Sequence, residues 1–268
     1  QISGYETVDN YSMVFDKALQ MLELAKQIPD TTHIADAMTT LMVVYRAFGE
    51  MDNARQYKDE LCRIYETPGS YYDPLQSIIH KMLLVQSKQE ADEYLQKAEQ
   101  YLSNTSESGT EKIREVYYRY AIAMRGLFDE PAIAALYFQK VIDTSKDRFE
   151  FRQFTTSWSY IYLVGIAVQQ KQYEKALGIG REILPKIKNL GDLSMQSDLQ
   201  TYLSTAFFHT GQADSAYLYF QRATLLQDSI SKTSNDKDFM RTHMEYIFEQ
   251  EQEIQRLQRA QEQALIAA

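Results

Sequence analysis

Apolar residues return every three or four positions through nearly the whole chain, and no convincing run of alternating apolar and polar residues breaks the pattern. That period puts one apolar stripe on each of a series of helices and argues against strands. A longer period lies over the helical one. Ala216, Phe220 and Ala223 form a small-x3-large-x2-small series on one predicted helix face. The spacing recurs as Ala18, Leu22, Ala25, then Ala91, Leu95, Ala98, then Ala134, Phe138, Val141. It recurs again as Ala176, Gly180, Ile183, and more loosely as Ala54, Lys58, Leu61. Successive leading alanines are 36, 37, 43, 42 and 40 residues apart, so the chain reads as about six copies of one unit.

Each unit has a second part. Met38, Leu41, Met42 and Tyr45 form a stripe that ends at Gly49, and Leu203, Ser204 and Phe207 form one that ends at Gly211. A glycine after the last periodic residue is where a left-handed turn costs least. The unit is therefore a predicted helical hairpin, whose small residues mark where the two axes approach. The polar stretches Tyr65–Asp73, Ser103–Glu111, Asp143–Asp147 and Lys188–Asp192 are the predicted loops between units. "GIGREIL" (Gly178 to Leu184) has no strand before it, so it is a helix segment with close packing at Gly178 and Gly180, not a phosphate loop.

The hairpins resemble the tetratricopeptide repeat family. "MTTLMVVYRAFGEMDNARQYKDEL" (Met38 to Leu61) and "QTYLSTAFFHTGQADSAYLYFQRA" (Gln200 to Ala223) match best. "YIYLVGIAVQQKQYEKALGIGREI" (Tyr160 to Ile183) matches with Lys171 in the place of the usual glycine. The unit at Ala134 has Pro131 at the start of its second helix, and the unit at Ala91 has a short first helix after Pro74. The resemblance implies an all-α, right-handed α-solenoid of about six hairpins over residues 1–228, followed by a long C-terminal helix over 229–268. It also implies a protein- or peptide-binding module whose first helices line a groove. The positions it assigns to that groove are Asp36, Thr39, Arg46, Gln76, His80, Trp158, Ile161, Asp198, Thr201 and Phe208. Where some members carry a cationic clamp for peptide carboxylates, this chain has Thr39, Val43, Ile161, Gly165, Thr201 and Thr205.

Composition narrows the functions. Net charge is -9, from 28 basic and 37 acidic residues with no dense basic block, so no phosphate-tracking surface is expected and nucleic acid is not an expected partner. The single cysteine, Cys62, excludes an internal disulfide, and its place in a helical pattern makes it a buried small hydrophobe. His33, His80, His209 and His243 fall in different units and form no metal-binding pair. No catalytic residues, metal or cofactor are expected, and the chain reads as a non-enzyme.

The tail adds two open readings. "FMRTHMEYIFEQEQEIQRLQRAQEQALIAA" (Phe239 to Ala268) runs without glycine or proline, with Met240, Ile247, Ile254 and Leu257 at coiled-coil spacing. It is a homodimerisation helix or a cap on the last hairpin. It also resembles the juxtamembrane helix of membrane-anchored bacterial regulators with tetratricopeptide ectodomains. That resemblance implies a sensing or scaffolding segment on the periplasmic face, with a membrane tether beyond residue 268. The alternative is a soluble cytoplasmic peptide receptor or chaperone-like adaptor.

Overall fold

A computed structural model of the chain describes residues 11–27, 31–67, 73–103, 110–145, 154–230 and 256. Among the described residues all regular structure is helical: α1 (Tyr11–Gln27), α2 (Thr31–Ala47), α3 (Met51–Glu66), α4 (Pro74–Leu83), α5 (Lys88–Ser103), α6 (Thr110–Gly126), α7 (Pro131–Asp143), α8 (Phe154–Gln169), α9 (Tyr173–Leu190), α10 (Leu193–His209) and α11 (213–230). None is long and apolar enough to cross a membrane. α11 runs through residue 230, two residues past the expected boundary after Asp228. Met240, Ile247, Ile254 and Leu257 lie outside the described residues.

The leading alanines fall on every second helix, α1, α3, α5, α7, α9 and α11, and all six are buried. The five even-numbered helices each pair with the odd-numbered helix that follows. The result is five hairpins, with α1 as the second helix of a first unit. Substantial packing joins helices adjacent in sequence, together with α4 to α6, α6 to α8 and α8 to α10. Such nearest-neighbour packing gives a repeat-like fold in which each unit is supported by the units beside it.

The turns repeat at the level of single hydrogen bonds. The amides of Glu50, Gln172 and Gln212 donate to carbonyls five residues back, those of Tyr45, Ala167 and Phe207. The carbonyls of the same three residues then accept from the amides of Ala54, Ala176 and Ala216. This geometry needs a left-handed residue just before each of them. Gly49 and Gly211 supply it with φ of 82° and 77°, while Lys171 adopts φ 59° with a side chain. A left-handed non-glycine residue costs roughly 1–2 kcal/mol, partly offset in glycine by its larger unfolded-state entropy. Lys171 is exposed, so the change removes little buried side chain. Lys171→Gly is therefore expected to stabilise the protein by about 0.5–1 kcal/mol, read as a rise of a few degrees in Tm; an unchanged or lower Tm would refute it.

Three apolar clusters follow one another along the chain. The first is built from α1 to α3 with Leu84 at the end of α4, the second from α4 to α7 with Ile166 of α8, and the third from α8 to α11. Phe154 and Trp158 pack against both the second and the third, which joins them through α8. The first and second meet at a more polar seam. There Tyr65 stacks on His80 with centroids 5.4 Å apart, Ser77 donates to Glu66 at 2.8 Å, and Lys81 pairs with Glu66. Cys62 is buried beside this seam, and burial pushes its thiol pKa up.

Two glycines let helices of the third cluster approach. A Cβ on Gly180 would sit 2.5 Å from Leu203 Cδ2, and one on Gly165 would sit 2.7 Å from the Tyr202 ring. Gly178 has open space where its Cβ would be, so the close packing predicted for both glycines of "GIGREIL" belongs to Gly180 alone.

Candidate functional site

The first helices α6, α8 and α10 lie side by side, and their touching faces carry a mixed aromatic and charged cluster. Arg125, near the end of α6, places its guanidinium 4.8 Å from the Tyr162 ring centroid on α8 and donates to Tyr202 Oη on α10 at 3.3 Å. Trp158, one turn before Tyr162, stacks on it at 5.3 Å and 26°. Phe154, one turn earlier again, meets Trp158 at 6.0 Å. The spacing of four residues puts Phe154, Trp158 and Tyr162 in one row on α8. Gly165 ends that row, and the missing side chain makes room for Tyr202, which brings α10 close enough to reach Arg125.

The electrostatics follow from partial burial. Asp198, one turn before Tyr202, has its carboxyl pKa raised by burial, with the Arg125 charge opposing that rise. Burial likewise raises the phenol of Tyr162 to about 12, again opposed by Arg125. Arg125 is thus the positive centre of a half-buried cluster whose neighbours are phenol and indole rings. Two N–H donors there, Arg125 Nε and Trp158 Nε1, are shielded from solvent and have no acceptor among the described residues. A buried donor left unpaired costs roughly 1–3 kcal/mol, so a molecule offering oxygen acceptors gains where the side chains covering these donors part to admit it. The arrangement can hold an acceptor-bearing, partly apolar chain. It sets up no nucleophile and base pair, and no group of three or more His, Cys, Asp or Glu among the described residues could hold a metal ion.

The residues predicted to line the groove divide. Trp158 and Asp198 belong to this cluster, one turn before Tyr162 and Tyr202 on their helices. Thr201 is exposed on α10, its hydroxyl turned back to the Ser197 carbonyl at 2.9 Å, and Phe208 is exposed at the end of α10. Ile161 is fully buried in the third cluster and lines no groove. Its side chain is needed to fill the space between α8 and its neighbours.

The predicted residues of the first units form a different structure. His80 is 1% exposed and belongs to the seam, not to an open surface. Its Nδ1 lies 2.9 Å from the Gln76 carbonyl and its Nε2 3.2 Å from Thr39 Oγ1. A carbonyl only accepts, so the neutral ring carries its proton on Nδ1 and Nε2 accepts from the Thr39 hydroxyl. That hydroxyl is also 2.8 Å from the Ala35 carbonyl and shares its proton between the two acceptors. Asp36, Arg46 and Gln76 are half-buried and stand on α2 and α4, away from the Arg125 cluster on α6 to α10. Arg125, Tyr162 and Tyr202 were not read from the sequence. The available signal was their place one turn after Trp158 and Asp198, or at the end of a first helix.

No family model matches the chain, and no curated protein matches it. Among solved structures, the chain is similar to the crystal structure of BtubC (BKLC) from P. vanneervenii. The TM-score is 0.59 at 14% sequence identity, over 86% of this chain and 93% of that one. At that identity the likeness is one of fold: a helical, repeat-like architecture shared along nearly the full length of both.

Proposed function

We propose that the protein is a non-catalytic binding module that takes an extended peptide segment of a partner protein across its first helices, at the Arg125–Trp158–Tyr202 cluster. The observation that carries this reading is the pair of buried donors, Arg125 Nε and Trp158 Nε1, set beside aromatic rings on adjacent helices. Peptide carbonyls supply acceptors at regular intervals, and rigid rings bury area with little loss of rotamer freedom. Stacked hairpins of this kind, the tetratricopeptide-like α-solenoid of the sequence reading, offer such a surface along successive first helices. The sensing and membrane-tethered roles rest on the tail sequence alone and stand behind this reading.

The test is to pan a random-sequence peptide display library against the protein and measure selected peptides by calorimetry. Arg125→Gln and Trp158→Ala are each expected to weaken selected peptides by about tenfold or more, while Leu136→Ala, at an exposed position of α7, leaves them unchanged. Peptides that bind the Arg125→Gln and Trp158→Ala proteins as tightly as the unaltered one would move the site elsewhere, and no enrichment at all would sink the reading.

A further inference from the structure

The repeat makes an internal comparison possible at the end of the described array. Residues of α8 and α9 correspond to residues of α10 and α11 forty positions later, as Lys171 and Gly211 or Ala176 and Ala216 show. On α9, Leu177, Gly180 and Ile187 are buried, and Gly180 is covered by Leu203 of α10. The corresponding α11 residues, Tyr217, Phe220 and Gln227, are exposed, with Tyr217 at 63% and Phe220 at 60%. On the first helices, half-buried Val168 corresponds to Phe208, which is 68% exposed. Three aromatic rings therefore stand on the face that in the preceding unit is covered by the next helix.

The same comparison limits what can cover them. Ile161 and Ile187, buried between units, are replaced at the end by Thr201 and Gln227, so the end face has lost aliphatic area and kept aromatic anchors. Phe220 stands where Gly180 lets Leu203 approach, so another hairpin in the internal geometry would collide with its ring. The face fits a single helix set further out, with side chains that adapt to three rings. The chain has such a segment within reach. After residue 230 come 38 residues, beginning with the polar connector Ser231 to Asp238 and then "FMRTHMEYIF". As a helix, this would put Met240, Met244, Ile247 and Phe248 on one face at steps of three and four. Methionine is the side chain best able to pack around rings of irregular arrangement. Beyond Phe248 the sequence turns to "EQEQE", which suits a helix that has left the apolar surface.

We propose that Phe208, Tyr217 and Phe220 form a docking face for the chain's own segment 239–248, which covers the end of the array in cis. Stripe positions Met240 and Ile247 then serve as cap contacts, while Ile254 and Leu257 lie past the docking face. The proposal does not depend on what the groove binds.

Hydrogen exchange on the 268-residue chain tests it. Met244→Asp with Ile247→Asp is expected to speed exchange of the α11 amides at 217–224 at least tenfold, with α6 to α8 unchanged as the folding control. Phe220→Ser in an otherwise unaltered chain is expected to speed exchange of the 239–248 amides. Unaltered α11 exchange in the double variant, with α6 to α8 intact, overturns the proposal. So does a dimer mass by light scattering with α11 protection that rises with protein concentration, because the occupant would then be a second copy. If the double variant fails to fold, Phe220→Ser alone decides, and unchanged 239–248 exchange overturns it.

Discussion

Lowering the pH from 7 to 4.5 is expected to cost the protein about 2.5 kcal/mol of stability through one residue, His80. Its imidazole is 1% exposed, and burial lowers its pKa from 6.5 to about 4. The Gln76 carbonyl opposes that shift, Arg119 adds to it, and Asp73 opposes it. The folded-state pKa lies below the unfolded one, so the unfolded chain takes up a proton first. Stability is therefore fully present above about pH 6.5 and falls as pH drops towards 4, by one proton's worth of slope. The hydrogen bonds do not set this sign, because a protonated Nε2 could donate to Thr39 Oγ1 while that hydroxyl donates to the Ala35 carbonyl; the cost lies in burying the charge. Urea unfolding followed by circular dichroism at pH 7, 6, 5 and 4.5 measures the slope. His80→Phe keeps a ring against Tyr65 and removes the titration, so its stability should be flat from pH 6.5 to 5 whatever its absolute value. A wild-type loss below about 1 kcal/mol at pH 4.5, or an unaltered slope in His80→Phe, would contradict this account. The site of the loss is also specified. His80 lies where α1 to α3 meet α4, so α3 and α4 amides should lose exchange protection in acid before those of α8 to α10.

What could be read from sequence was what local spacing decides. The leading alanines were legible because a helix crossing rejects large side chains wherever it occurs, and all six are buried. Gly49, Gly211 and the odd Lys171 were legible because the left-handed turn is a property of one residue. Pro74 and Pro131 begin α4 and α7, where the missing amide has no partner to lose. The Arg125 cluster was legible only in part. The α8 sequence, "FTTSWSYIYLVGIAVQ", is apolar almost all round, so period alone did not separate Trp158, which faces the cluster, from Ile161, which fills the core. His80 sits among apolar residues like a groove histidine, and nothing local reveals that Thr39, 41 residues away, occupies its second nitrogen. Arg125 and Tyr202 meet across 77 residues because Gly165 leaves a space between them, a coincidence of three helices that no single segment encodes.

Phe138→Ala is expected to cost about 3–5 kcal/mol, the largest effect of any single change considered. Phe138 is fully buried on α7 and meets Tyr118 of α6 at 6.2 Å and Tyr162 of α8 at 5.0 Å. Its ring fills the space where three helices converge, and removing it leaves a cavity that its neighbours close only with difficulty. Tyr162 is held by Trp158 on one contact and Arg125 on another, so moving it inward breaks the stack and draws it from the guanidinium. The cost therefore has two parts, lost burial and either an unfilled cavity or a disturbed site. Leu136→Ala on the same helix removes a side chain that is 57% exposed and should stay within about 0.5 kcal/mol, which separates packing from any change in helix propensity. Trp158 is the only tryptophan, so its emission reports which part dominates. A red-shifted native spectrum with a loss near the lower end means that Tyr162 has moved and carried the Arg125 cluster with it. An unshifted spectrum with a loss near the upper end means that the cavity stays open and the site stands on Arg125 and Tyr202 without support from α7. A loss below about 1.5 kcal/mol with unshifted emission would show that Phe138 is not the residue that ties the core to the Arg125 cluster.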